Sequence, residues 1–256
     1  RDMPGGAYYG EDSVGRNKSF WSLLEKYEDE KKINDKRITE SATRIIATMY
    51  QLGQMENFPK TDLYKDTKTY KRIELQRRAA AESQILLKNE DNILPLKSNI
   101  TIAIIGNDAA KRDCGTDDDM GCQNTTNKVQ VGHIPLGYGS GTTTFDYLIY
   151  PLQGILNASE EKNISVEYSC NLNFTDVEGV HVEAKEDIEN GVKIANKSDV
   201  AIIFAKADSG EEFLQVENSI GDREDLDLWH GANELIDKVA EVNENVIVVI
   251  NAPAVV

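Results

Sequence analysis

Four short apolar runs punctuate the chain from residue 101 onward, at Thr101–Ile105, Ile164–Tyr168, Val200–Phe204 and Val246–Ile250. Each is strand-length and flanked by polar or turn-forming residues. Between them, Tyr150–Leu156, Glu183–Asn196 and Ala232–Val242 carry apolar residues at helical spacing. Pro151 falls in the first turn of its helix, where its missing N–H costs nothing. Apolar strands separated by helices predict an α/β fold, with a mostly parallel sheet covered by helices on both faces.

The pattern upstream is different. Residues 1–57 hold two helical stretches; in the second, Ile38, Ala42, Ile45, Ile46, Met49 and Leu52 recur at three- to four-residue spacing. Gly53 supplies the stop. Residues 58–70 are polar and aperiodic and read as a linker, and a helix with a triple alanine is expected over Lys71–Lys88, leading to a turn at Asn89–Asn92. The expected organisation is thus a helical segment at 1–57, a linker at 58–70 and an α/β domain over 71–256.

Composition narrows the partners. An apolar content of 40% suffices for a sizeable core. A net charge of −16 argues against nucleic acid or an anionic membrane surface, which both need a positive face. No run approaches the roughly 18 apolar residues of a spanning helix. Gly137–Thr142 (GYGSGT) lacks the G-K-[ST] of a phosphate-binding loop, and Gly106-Asn107-Asp108 after the first strand has a single glycine, so a nucleotide is not expected. His133, His181 and His230 stand singly, and Asp117-Asp118-Asp119 lacks the alternation of a calcium loop. No metal and no cofactor are expected.

The densest chemistry lies in Ala207–Trp229, ADSGEEFLQVENSIGDREDLDLW, with eight carboxylates and two glycines directly after a strand. Loops leaving the carboxyl ends of strands are where open α/β sheets bind ligands. Alone, the stretch reads more readily as a solvated acidic loop than as an acid/base site.

The segment resembles the acid/base loop of fungal-type β-glucosidases of glycoside hydrolase family 3, in which A-D-S-G-E-G is followed by V-E-G-N-x-G-D-R and a leucine-rich stretch ending in tryptophan. The matching residues are Ala207–Phe213, Val216-Glu217-Asn218, Gly221-Asp222-Arg223 and Leu226–Trp229. Asp2-Met3-Pro4-Gly5 resembles the D-M-x-M-P-G near the end of the family's barrel. Leu86–Asn89 with Ile93–Leu96 resembles the L-L-K-N…I-L-P-L that enters its second domain, and Gly137–Thr142 resembles G-W-G-S-G-T. These fall in the family's order.

The resemblance implies that residues 1–57 are the terminal helices of a truncated (β/α)8 barrel, leaving an apolar stripe uncovered, and that 71–256 is an α/β sandwich missing its last part. It implies a retaining β-glucosidase acting on cellobiose and short β-glucosides, with a β-xylosidase, a broad exo-β-glucanase or a non-catalytic sugar-binding homologue as alternatives. Glu211 matches the glutamate of S-G-E-G and is the expected general acid/base, and Glu217, from V-E-G-N, is its competitor. The nucleophilic aspartate is expected upstream of Arg1, outside this chain. Glu212, Asn218 and Tyr138 depart from the family's Gly, Gly and Trp. Asp222 and Arg223 read as a local ion pair or loop clamp before a sugar contact, Asp208 and Ser209 as turn caps, and Trp229 as core before a ring stacked on sugar.

Cys114 and Cys122 bracket GTDDDMG. Their spacing allows a disulfide in an oxidising compartment; zinc is the poorer alternative, with no C-x-x-C and no spaced histidines. The resembling enzymes carry a paired cysteine loop just before G-W-G-S-G-T, which implies a Cys114–Cys122 disulfide. Cys170 is expected to be a buried thiol or to pair elsewhere. Sequons at Asn17, Asn99, Asn124, Asn157, Asn163, Asn173 and Asn196 add to the expectation of a secreted, extracellular protein. A homodimer is compatible with the sequence.

Overall fold

The computed structural model describes residues 27, 30–56, 60, 62–111, 131–136, 145, 147–177, 180–210, 215–217 and 219–256. The chain divides into two compact units, 1–85 and 86–256.

In the first unit, α1 (Asp35–Gln51) starts where the Asn34 side chain accepts from the Arg37 N–H at 2.9 Å, and its chain leaves through Gly53 at φ 67. It buries no residue; Ile45 is 66% exposed and Leu52, just past its end, 67%. α2 (Tyr70–Glu82) is capped by Thr69. It ends earlier than the expected Lys88, where Ser83 turns its hydroxyl back onto the Ala80 carbonyl at 2.8 Å. α2 falls in the first unit, so the division lies beyond the expected linker at 58–70.

The second unit is built on four parallel strands, β1 (Thr101–Ile105), β2 (Ser165–Ser169), β5 (Val200–Lys206) and β8 (Val246–Asn251), in the order β2-β1-β5-β8. The fold class is as expected, α/β with a mostly parallel sheet. Alternation along β1 and β5 divides the core. Ile102, Ile104, Val200, Ile202 and Phe204 face one layer, packed with Leu152 and Ile155 of α3 (Pro151–Lys162). Ala103, Ile105, Ala201 and Ile203 face the other, packed with Val192 and Ala195 of α4 (Ile188–Ala195) and Leu235 and Val239 of α5 (Ala232–Ala240). Both faces are covered, so both central strands are buried. The connection from β1 runs to β2 on one side; the chain then crosses to β5 on the other. The carboxyl ends of β1 and β5 are therefore the topological switch point, where such sheets open a crevice.

One expectation fails. The helical reading of Glu183–Asn196 is wrong in its first part: β4 (Val180–Glu186) pairs antiparallel with β3 (Leu172–Val177), and the helix begins only after Asp187 caps it through the Asn190 N–H at 3.3 Å. Ala184 and Glu186 are buried while Lys185 is exposed, a two-residue period that four residues are too few to distinguish from a helical one.

Gly106, at the end of β1, has φ 102, and a Cβ there would lie 2.2 Å from the Phe204 carbonyl oxygen. Gly106→Ala should destabilise the fold by at least about 2 kcal/mol in denaturant unfolding. Gly154→Ala, in α3 with only an ordinary 3.8 Å contact to Ile149, should be neutral or stabilising by up to about 1 kcal/mol. Equal effects at the two positions would contradict the packing described.

Candidate active-site loop

At the carboxyl ends of β1 and β5 the structure has a polar, buried floor. After Gly106 the chain makes a short 3-10 turn, Asn107–Ala109, that is wholly enclosed. The Asn107 N–H donates to both Glu186 oxygens at 2.9 and 3.1 Å, so a carboxylate from β4 already occupies the turn's free donor. Asn107 and Asp108 then hold a second segment: Gly132 N–H donates to Asn107 Oδ1 at 3.0 Å and Ile134 N–H to Asp108 Oδ1 at 2.9 Å. His133 Nδ1 lies 3.3 Å from the same Asp108 carboxylate. Lys206, 1% exposed at the end of β5, donates to the Gly132 carbonyl at 2.9 Å. Asn251 of β8 donates to the Ile134 carbonyl at 2.6 Å. Residues 132–134 are thus tied to three adjacent strands at once. Burial raises the Glu186 carboxyl, the Asn107 amide and Lys206 oppose it, and Asp108 and Asp187 add smaller upward pushes, so that it ends at about 7.

Above this floor rises the acidic loop. Asp208, fully buried, accepts from the Ser209 N–H at 2.9 Å, and Ser209 Oγ accepts from the Arg223 N–H at 3.0 Å. The Gly210 N–H donates to the Gly221 carbonyl at 2.9 Å, closing the base of the loop. Its far part is a small hairpin, β6 (Gln215–Val216) with β7 (Ser219–Ile220), anchored by the fully buried Val216. Glu217, in the turn, accepts from His230 Nε2 at 3.0 and 3.1 Å. His230 belongs to the 3-10 turn Trp229–Gly231 that enters α5, and the Trp229 ring meets it edge-on with centroids 6.3 Å apart.

The structure thus brings together Asp208, Ser209, Glu217, Arg223, Trp229 and His230. Arg223 donates from its backbone to Ser209 and from its guanidinium to the Val255 carbonyl, a clamp made to the chain rather than to Asp222. Trp229 is half-buried rather than core. Glu211, Glu212, Asn218, Cys114, Cys122, Asp117–Asp119 and Gly137–Thr142 lie outside the described residues. Cys170 is a free, buried thiol, pushed by burial up to about 12, and so chemically inert. The pairing of His230 with Glu217, and the floor of Glu186, Lys206 and Asp108, carry no sequence signal, because their partners lie on different elements.

Residues 84–256 match the model of the glycosyl hydrolase family 3 C-terminal domain. The chain belongs to glycoside hydrolase family 3. A curated relative, the probable beta-glucosidase L of Aspergillus terreus, is 35% identical over 225 residues, covering 84% of this chain and 28% of the relative. The corresponding protein of Aspergillus fumigatus is 33% identical, with 91% of this chain and 30% of the relative covered. Among solved structures, the beta-D-glucoside glucohydrolase of Trichoderma reesei superposes with a TM-score of 0.66 at 30% identity, covering 95% of this chain and 32% of that one. The chain thus spans about a third or less of the family 3 proteins it matches.

The family 3 floor has a measurable titration. The folded chain binds the Glu186 proton more tightly than the unfolded chain does. Its contribution to stability is therefore full below about pH 4.5 and is lost as pH rises to about 7. Glu186→Gln removes this dependence, so across that interval the variant should gain on the wild type by on the order of 3 kcal/mol. Urea titrations at several pH values check it; a constant difference between the two proteins would contradict the assignment.

Proposed function

We propose that this chain is the acid/base-bearing part of a longer retaining β-glucosidase that releases glucose from cellobiose and short β-glucosides. The match of Ala207–Trp229 to the family's acid/base loop carries this reading, supported by relatives named as β-glucosidases. Retaining glycosidases set two carboxyl groups about 5–5.5 Å apart, one as nucleophile and one as acid/base. Glu211 is the acid/base: it protonates the leaving glycosidic oxygen, then takes a proton from the water that releases the sugar. Glu217 is set against that role by its bonds to His230. The nucleophilic aspartate is supplied by a barrel domain, of which residues 1–57 are the terminal helices, and no cofactor takes part.

The enzyme is secreted, with a Cys114–Cys122 disulfide, and serves the breakdown of cellulose-derived oligosaccharides. In support of secretion, the sequon asparagines Asn99, Asn157, Asn163, Asn173 and Asn196 are exposed.

The test compares the full-length protein with its Glu211→Ala variant on cellobiose and on an activated aryl β-glucoside, with and without azide. A good leaving group needs little protonation. kcat/KM on cellobiose should therefore fall by about 100-fold or more, while kcat/KM on the aryl substrate falls far less and azide, which needs no base, accelerates its turnover. Near wild-type hydrolysis of both substrates would overturn the assignment. Preference for an aryl β-xyloside over the glucoside would replace the glucosidase reading with a xylosidase.

A further inference from the structure

The pairing of Glu217 with His230 is buried, and the backbone bends to make it. The side chains of His230 and Glu217 are 4% and 12% exposed, and one ring nitrogen meets both carboxylate oxygens. Glu217 sits at φ 51 and His230 at φ 58, left-handed conformations uncommon outside glycine, though histidine adopts them more readily than most residues. Two such residues, on either side of the same loop, both turn inward toward one contact.

The position of that contact along the loop gives it meaning. Gly210 is fixed by its bond to Gly221, and Ser209 by its bond to Arg223. Gln215 and Val216 are fixed in the hairpin, and the Gln215 side chain donates to the Glu217 carbonyl at 2.9 Å. The segment carrying Glu211 therefore has one end at the closed base of the loop and the other at a hairpin whose turn is held by His230. We infer that His230 and Glu217 are positioning residues for the general acid: their pairing pins the downstream end of the acid-bearing segment to the entry of α5. This rests on the reading of Glu211 as that acid. It also gives the loop's two glutamates separate tasks, one transferring the proton and the other holding the frame.

A displaced acid slows the glycosylation step, read as kcat/KM, for the substrate that depends on protonation and spares that step for the one that does not, whereas general loss of structure harms both. In the full-length enzyme, kcat and KM are measured on cellobiose and on an activated aryl β-glucoside for His230→Ala, His230→Gln, Glu217→Gln and Glu211→Ala. His230→Ala should lower kcat/KM on cellobiose by about tenfold or more, with kcat/KM on the aryl glucoside down less than about threefold. His230→Gln, which retains a donor, should recover most of the loss. Glu217→Gln, which keeps shape and an acceptor, should show the same selectivity more weakly and serves if His230→Ala does not fold.

Equal losses on both substrates, or unchanged kinetics in the His230 and Glu217 variants, would overturn the inference. The two readings separate cleanly. If Glu211→Ala lacks the leaving-group dependence, the acid has been misassigned; if Glu211→Ala has it and the His230 and Glu217 variants do not, only the positioning role falls.

Discussion

Strands β1 and β5 are buried on both faces, and that constraint shapes everything else in the second unit. A strand so placed can offer neither face to a ligand, so chemistry is confined to its ends. Because β2 and β5 flank β1 on opposite sides, the connections diverge at the carboxyl ends, where open α/β sheets bind their ligands. Gly106 shows how close the two strands come at that point: its missing side chain is what lets the chain pass the Phe204 carbonyl.

The polar floor follows from the same burial. Polar groups removed from water need partners, and in this unit most of them are backbone groups of neighbouring segments. Glu186 receives the Asn107 amide, Lys206 donates to the Gly132 carbonyl, and Asn251 to the Ile134 carbonyl. The floor is thus a set of staples between the ends of three strands. A long acidic loop standing on such a base inherits its rigidity at Asp208 and Ser209, and gains its own at Val216 and Glu217. Residues that must hold a functional group to within a fraction of an ångström are best supported by packed second neighbours of this kind.

The parallel sheet was legible because its central strands are continuously apolar; Val200–Phe204 announces itself in any reading. The loop was legible as an acidic cluster, and its family likeness suggested the roles proposed for its glutamates. The β3–β4 hairpin was not legible: Leu172–Val177 alternates weakly, and Glu183–Glu186 runs into a helix whose start is fixed only by the Asp187 cap. The pairings were also hidden. Glu186 meets a backbone amide 79 residues away, and Glu217 meets a histidine 13 residues on that has no periodic relation to it. Linear patterns report faces and ends of elements; they do not report which ends converge.

The central claim is that Glu211, and not Glu217, faces the reacting sugar. The most direct measurement is a crystal structure of the full-length enzyme trapped as its glycosyl intermediate with a 2-fluoro-glucoside. The account predicts the Glu211 carboxyl about 5–5.5 Å from the sugar-bearing carboxylate, with Glu217 still on His230. Glu217 at that distance, released from His230, would contradict it.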